Sequence, residues 1–179
     1  MSEALALKYR PKTFEDVTEQ ASVISILQNQ IRTKTNKNCY LFTGSAGTGK
    51  TTTARIFANE LNGGKGTPIE IDGASNNGVD QVRIIIDQAK MKALDSEYKV
   101  YIIDECHALS NNAWQAMLKL IEEPPRGTIF IFCTTDPDKI PRTILSRVQR
   151  YDFKKISYEG VVARLRHILE SEGYQLTNE

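Results

Sequence analysis

The chain has 179 residues, with 23 lysines and arginines against 22 aspartates and glutamates, and 40% of its residues are hydrophobic. That length suits one globular domain with room for a fragment of a second, burying roughly 70% of the unfolded surface. The near-neutral charge excludes a histone-like polycation, so any nucleic-acid contact must come from a local basic patch.

No window approaches 18 consecutive apolar residues, so no membrane contact is expected. The first residues lack the basic and apolar pattern of a secretion signal. Cys39, Cys106 and Cys133 form no CxxC pair, which fits reduced thiols in a cytoplasmic protein.

In chain order, Val23, Leu27 and Ile31 recur at helix spacing. Cys39-Tyr40-Leu41-Phe42-Thr43 is an apolar run leading into glycines, and predicts a strand. The helix opening after it is stopped by Asn62-Gly63-Gly64. Residues 68–72 form a weaker, alternating strand. Val79, Val82, Ile86, Ala89 and Ala93 predict a helix. Residues 99–104 and 128–133 are β-branched and aromatic, the mark of buried central strands. Between them Ala113, Met117 and Ile121 predict a helix that Pro124-Pro125 ends, and residues 150–153 give a fifth strand. Strands alternating with helices imply right-handed βαβ units and a parallel sheet covered on both faces. From about Ser157 the pattern changes to one amphipathic helix carrying Val161, Val162, Leu165, Ile168 and Leu169, stopped near Gly173. The expected organisation is therefore a core over 1–156 and, over 157–179, the start of a helical domain that the chain does not complete.

Gly44-Ser45-Ala46-Gly47-Thr48-Gly49-Lys50-Thr51 fits G-x4-G-K-[ST] between a strand and a helix. The glycines let backbone N–H groups curl around a β-phosphate, and the helix that follows presents its positive end. Lys50 would reach the β- and γ-phosphates, and the Thr51 hydroxyl would bind Mg²⁺; Thr52 continues the helix start. This is a nucleoside triphosphate site. Asp104 and Glu105 end the strand 99–104, where an acid is costly unless it meets a cation or donors. Asp104 would hold Mg²⁺ through water, and Glu105 would act as general base on the attacking water.

Two further signals are weaker. The strand 128–133 runs into Thr134-Thr135, where a hydroxyl would face the γ-phosphate, although a strand ending in two threonines is common. Arg147 precedes the last strand and would either pair locally or act on a neighbouring subunit's nucleotide. His107 follows the acidic pair with no second ligand spaced near it, which argues against a metal role.

Residues 70–80, 100–109, 118–125 and 140–147, together with the opening 7–17, resemble the bacterial DNA polymerase III gamma/tau subunit family, the AAA+ ATPase motors of sliding-clamp loaders. The resemblance covers nearly the whole chain. It implies an α/β AAA+ P-loop NTPase core of five parallel strands in the order 5-1-4-3-2, with ATP and Mg²⁺ as cofactors. It implies Thr135 rather than Thr134 as the sensor of the γ-phosphate, and Arg147 as a finger used in trans. Tyr9, Arg10, Pro11, Val17 and Thr18 match the family segment that lines adenine and ribose. Ser75, Asn76, Asn77 and Gly78 would present backbone N–H groups to duplex phosphates at a helix start, and Arg83 and Lys119 match family positions that face DNA; a capped helix with two solvated cations is the alternative. The helix from Ser157 matches the first of a helical lid. Implied partners are other clamp-loader subunits in a hetero- or homo-oligomeric ring, the sliding clamp and primed double-stranded DNA.

One departure concerns metal. Family members carry a four-cysteine zinc module before the second strand, and residues 62–68 contain neither Cys nor His, so no zinc is expected. Intact Lys50, Thr51, Asp104, Glu105 and Arg147 argue against a non-hydrolysing scaffold subunit. A P-loop small-molecule kinase would need an acceptor pocket rather than an Asp-Glu pair. Another DNA-remodelling AAA+ ATPase is the nearer alternative, against which residues 74–80 weigh.

Overall fold

The computed structural model describes residues 4–174; the expected lid segment's last residues, 175–179, and the first three residues of the chain lie outside the described residues. A short helix α1 (Leu5–Lys8) leads to α2 (Ala21–Thr33), then β1 (Cys39–Thr43), α3 (Lys50–Leu61) and β2 (Ile69–Asp72). Next come α4 (Val79–Ala89), β3 (Lys99–Asp104), α5 (Asn111–Glu122), β4 (Thr128–Thr134), α6 (Arg142–Leu145), β5 (Gln149–Asp152) and α7 (Tyr158–Ser171). All strands are parallel, in the order β2-β3-β4-β1-β5, which is the order expected.

The strand pleat sorts the core into two layers, because successive side chains leave a strand on opposite faces. Leu41, Tyr101, Ile103, Phe130 and Phe132 pack with Val82 and Ile85 of α4, Trp114 and Met117 of α5 and Ile144 of α6. Tyr40, Phe42, Ile102, Ile131 and Cys133 pack on the other face with Leu27 of α2 and Phe57 of α3. All seven residues of β4 are buried, as befits a central strand covered on both sides. The edge strands β2 and β5 are only partly buried.

Several boundaries differ from expectation. The fifth strand runs one residue earlier, and β4 extends to Thr134, where it pairs with Thr43. Ala93 lies outside α4. In a continued helix its N–H would take the Ala89 carbonyl, but that carbonyl accepts the Thr128 hydroxyl at 3.1 Å, and the preceding Gln88 carbonyl accepts Lys99 Nζ at 2.6 Å. Side chains of the neighbouring strands therefore close the helix end. Ile85 is buried, whereas Ile86 is only partly so.

Burial pushes the Cys39 thiol up to about 12 and holds Cys106 and Cys133 well above the ordinary thiol range. Because the thiolate is the reactive form, the native protein should resist alkylation at neutral pH, and all three thiols should label together as denaturant unfolds the chain. Rapid native-state labelling of Cys106 or Cys133, read by mass spectrometry, would contradict this core.

Candidate active site

The carboxyl ends of β1, β3 and β4 meet at a cavity of about 260 Å³ lined by Ala46, Gly47, Gly49, Lys50, Thr51, Thr52, Asp104, Glu105 and Thr135. A larger cavity of about 640 Å³ at the other end of the strands, lined by residues such as Leu61 and Tyr98, brings no such set together. The position fits the rule that ligands of open α/β sheets sit beyond the carboxyl ends where the strand order reverses.

The loop after β1 depends on its glycines. Gly44 has φ 149°, and a Cβ there would lie 2.8 Å from the Phe153 carbonyl oxygen. Gly49 caps α3 with φ 91°, turning the chain so that the first N–H groups of α3 face the cavity. Thr48 closes the loop by donating its hydroxyl to the Ser45 carbonyl at 2.9 Å. Lys50 is only 7% exposed, and Nζ donates to the carbonyls of Gly44 at 2.7 Å and Ser45 at 2.9 Å. Burial pushes its pKa down, and Cys133, Asp104 and Glu105 partly offset that.

Thr51, in the first turn of α3, donates its hydroxyl to Asp104 Oδ2 at 2.7 Å. Asp104 reaches it because its place in the pleat is that of Val100 and Ile102, the face that α3 covers. Asp104 Oδ1 accepts the Glu105 N–H at 3.0 Å. A hydroxyl and a carboxylate are hard oxygen donors, the set that suits Mg²⁺ with its remaining positions filled by water and phosphate. Among the described residues, no group of three or more His, Cys, Asp or Glu side chains is placed to hold a metal ion.

Thr135 lines the cavity, whereas the Thr134 hydroxyl is fully buried and faces His107. Val17 approaches the glycine loop, 3.9 Å from where a Cβ on Gly49 would stand. Tyr9 is turned toward α7, donating its hydroxyl to Glu172 at 2.6 Å, and its carbonyl accepts from Arg164. Arg10 and Thr18 belong to the same segment, the first exposed and the second partly buried, and Pro11 is partly buried.

Arg147 is not in the cavity. Its Nη2 stands 2.7 Å from Glu122 Oε1, and Nη1 donates to the Thr143 carbonyl at 2.6 Å. Together with Cys39 it borders a recess at the amino end of β1. Traversing β1 to the glycine loop covers roughly 13 Å at about 3.3 Å per residue. Of the residues matched to duplex phosphates, Arg83 is exposed and 3.5 Å from Asp80, and Lys119 is exposed on α5. Gly78 caps α4, and the Asn77 carbonyl accepts the Ser110 N–H, so the starts of α4 and α5 stand side by side. The Asn76 backbone N–H, expected to be offered to a ligand, is instead donated to the Asp72 carbonyl at 3.0 Å.

One residue escaped the sequence reading. Gln20, 2% exposed, donates its amide to the carbonyls of Thr48 at 3.1 Å and Lys154 at 2.7 Å, and accepts the Lys154 N–H at 3.0 Å. Only its place just before a helix hinted at a special role.

A family model described as "DNA polymerase III, delta subunit" matches residues 68–157. The tau subunit of DNA polymerase III from Bacillus subtilis is 44% identical over 195 aligned residues, which take in 97% of this chain and 35% of that protein. The chain thus spans about a third of that relative's length. Among solved structures, the Thermotoga maritima RuvB Holliday junction branch migration motor superposes with a TM-score of 0.77 at 19% identity, over 94% of this chain and 56% of that one. A DNA polymerase III gamma subunit-related protein from the same organism gives 0.63 at 23% identity, over 80% and 53%. At these identities the likeness speaks for the fold, and the fold is the AAA+ core.

A methyl group at Gly44 would meet backbone rather than a flexible side chain, in a conformation L-residues resist. Gly44→Ala should lower stability by about 1–3 kcal/mol and abolish binding of a fluorescent ATP analogue. Gly47→Ala, where a Cβ meets nothing within 4 Å, should be milder. Undiminished nucleotide binding by Gly44→Ala would refute this reading of the loop.

Proposed function

The chain belongs to the family of DNA polymerase III subunits, and we propose that it is the ATP-binding and ATP-hydrolysing motor of a clamp loader, coupling nucleotide turnover to loading of a sliding clamp on primed DNA. The observation that carries the enzymatic part is the contact between Thr51 and Asp104 at the mouth of the glycine loop, with Glu105 next in the chain.

In this reading the loop amides from Gly44 to Lys50 cradle the phosphates, and Lys50 exchanges its two carbonyl partners for phosphate oxygens. Thr51 and Asp104 hold Mg²⁺, which when bound neutralises charge on the β- and γ-phosphates. Glu105 accepts a proton from the attacking water, and Thr135 orients that water against the γ-phosphate. Tyr9, Arg10, Pro11, Val17 and Thr18 form the side facing the base and ribose. Residues 1–156 act as the nucleotide-binding core, and α7 begins a lid. The link between them is supported by Glu19, whose carboxylate accepts the Ser157 N–H at 2.7 Å.

The place of Arg147 supports action in trans. Its own nucleotide site lies at the far end of β1, so the arginine serves a neighbouring subunit, after giving up Glu122. Asn77, Gly78, Arg83 and Lys119, with the paired helix starts of α4 and α5, make the surface offered to duplex phosphates, and Asn76, whose backbone and side-chain N–H groups both meet the Asp72 carbonyl, joins it only by giving up that partner.

Two experiments test this. In the full-length assembled protein, Glu105→Gln should keep nucleotide affinity while single-turnover hydrolysis falls by at least about 10². Lys50→Ala should fail at binding, since it removes the charge that meets the phosphates. Equal loss of binding in both would show the roles to be wrongly assigned.

Finger action in trans predicts complementation. Arg147→Ala alone should slow turnover by about 10³ to 10⁵, and mixing it with Lys50→Ala, inactive alone, should restore hydrolysis. The restored sites pair an intact Lys50 with a neighbour's Arg147. Mixtures no faster than the separate variants would place the finger elsewhere.

A further inference from the structure

The scheme above gives Glu105 a proton to accept but nothing that aims its carboxylate, which is 43% exposed. Glu105 has left-handed backbone, φ 50° and ψ 39°, so its side chain leaves the β3 pleat. A 3₁₀ turn, Cys106–Ala108, follows at once and swings His107 back toward it. His107 Nε2 then stands 3.4 Å from Glu105 Oε2, while Nδ1 is 3.0 Å from Thr134 Oγ1.

The tautomer follows from the hydroxyl. Thr134 Oγ1 is fully buried and already accepts the Asp136 N–H at 3.0 Å. Its single proton needs an acceptor, since an orphaned buried hydroxyl costs about 1–3 kcal/mol, and Nδ1 is the acceptor within reach. Nδ1 without hydrogen leaves Nε2 carrying one, 3.4 Å from Glu105 Oε2. Contacts of this kind are often long before substrate is engaged, and 3.4 Å is within that habit.

We propose that His107 is a positioning residue for Glu105, holding the carboxylate by an Nε2–H donor whose tautomer is set by Thr134 at the end of β4. The inference rests on the reading of Glu105 as the proton acceptor. It also joins two parts of the site. Thr135, the next residue after Thr134, lines the nucleotide cavity. A shift of the β4 end toward nucleotide therefore reaches the base through the imidazole.

The test compares two isosteres in the full-length assembled protein, with ATP as the probe. His107→Asn keeps a polar group facing Thr134 but lacks the reach to Glu105. His107→Gln keeps a donor at the position of Nε2. Single-turnover hydrolysis should fall at least about tenfold in His107→Asn, within the range typical of outer-shell partners, and recover most of the way in His107→Gln. Nucleotide affinity and thermal midpoint should hardly change in either. Added to Glu105→Gln, His107→Asn should cost nothing further, because the group it positions is gone. Equal rates for the two isosteres, a faster His107→Asn, or a full additional loss on the Glu105→Gln background would each overturn the proposal. Wild-type turnover by Glu105→Gln alone would instead remove the reading of the base on which it stands.

Discussion

The cavity exists because β4 stands between β1 and β3. The glycine loop leaves β1, the acids leave β3, and two strand spacings separate them, about 10 Å at 4.8 Å each. Only α3, crossing that face of the sheet on its way to β2, closes the gap, packing on β3 and β4 as it goes. Its first turn carries Thr51 over Asp104, and the pleat turns Asp104 up to meet it. A slip of one residue in β3 would send Asp104 to the face of α4 and α5. The stacked pair Tyr101 and Phe130, 5.1 Å between centroids, and the fully buried Ile102 and Ile131 hold that register.

Gln20 performs a second kind of joining. A single buried amide binds the glycine loop through Thr48 and the strand exit through Lys154, so the segment before α2, the loop and the approach to α7 share one anchor. Removing a partner at such a site leaves buried carbonyl and amide groups unmet, which costs more than the bond itself is worth. The neighbouring Glu19, in left-handed backbone at φ 58°, extends the tie to Ser157. Two adjacent residues, Glu19 and Gln20, thus tie the approach to α7 to the glycine loop.

The strands were legible because β-branched and aromatic runs have few other uses, and the glycine loop because its spacing has a mechanical cause. Their order came through the family likeness, not through periodicity. What stayed hidden depended on neighbours remote in sequence. The end of α4 is decided by Thr128 and Lys99, far along the chain. Asn76 looked like an open donor until Asp72 folded under it. His107 read as an isolated imidazole because spacing along the chain says nothing of Thr134, which only the sheet brings near. The short helices α1 and α6, four residues each, are below the length at which a periodic pattern can be seen.

Arg147 and the glycine loop lie at opposite ends of β1, and that polarity bears on counting. On the proposed reading each unit has a giving side and a receiving side, and contacts between units are head to tail. An open row of such units has one working site fewer than its members, since the last receiver has no giver. Closing the row would supply the missing site, and a gap would leave one member always idle. A member whose site never works is free to lose its glycine loop or its acids without harm, so the strand's polarity permits some positions in an assembly to drift while their arginine is kept.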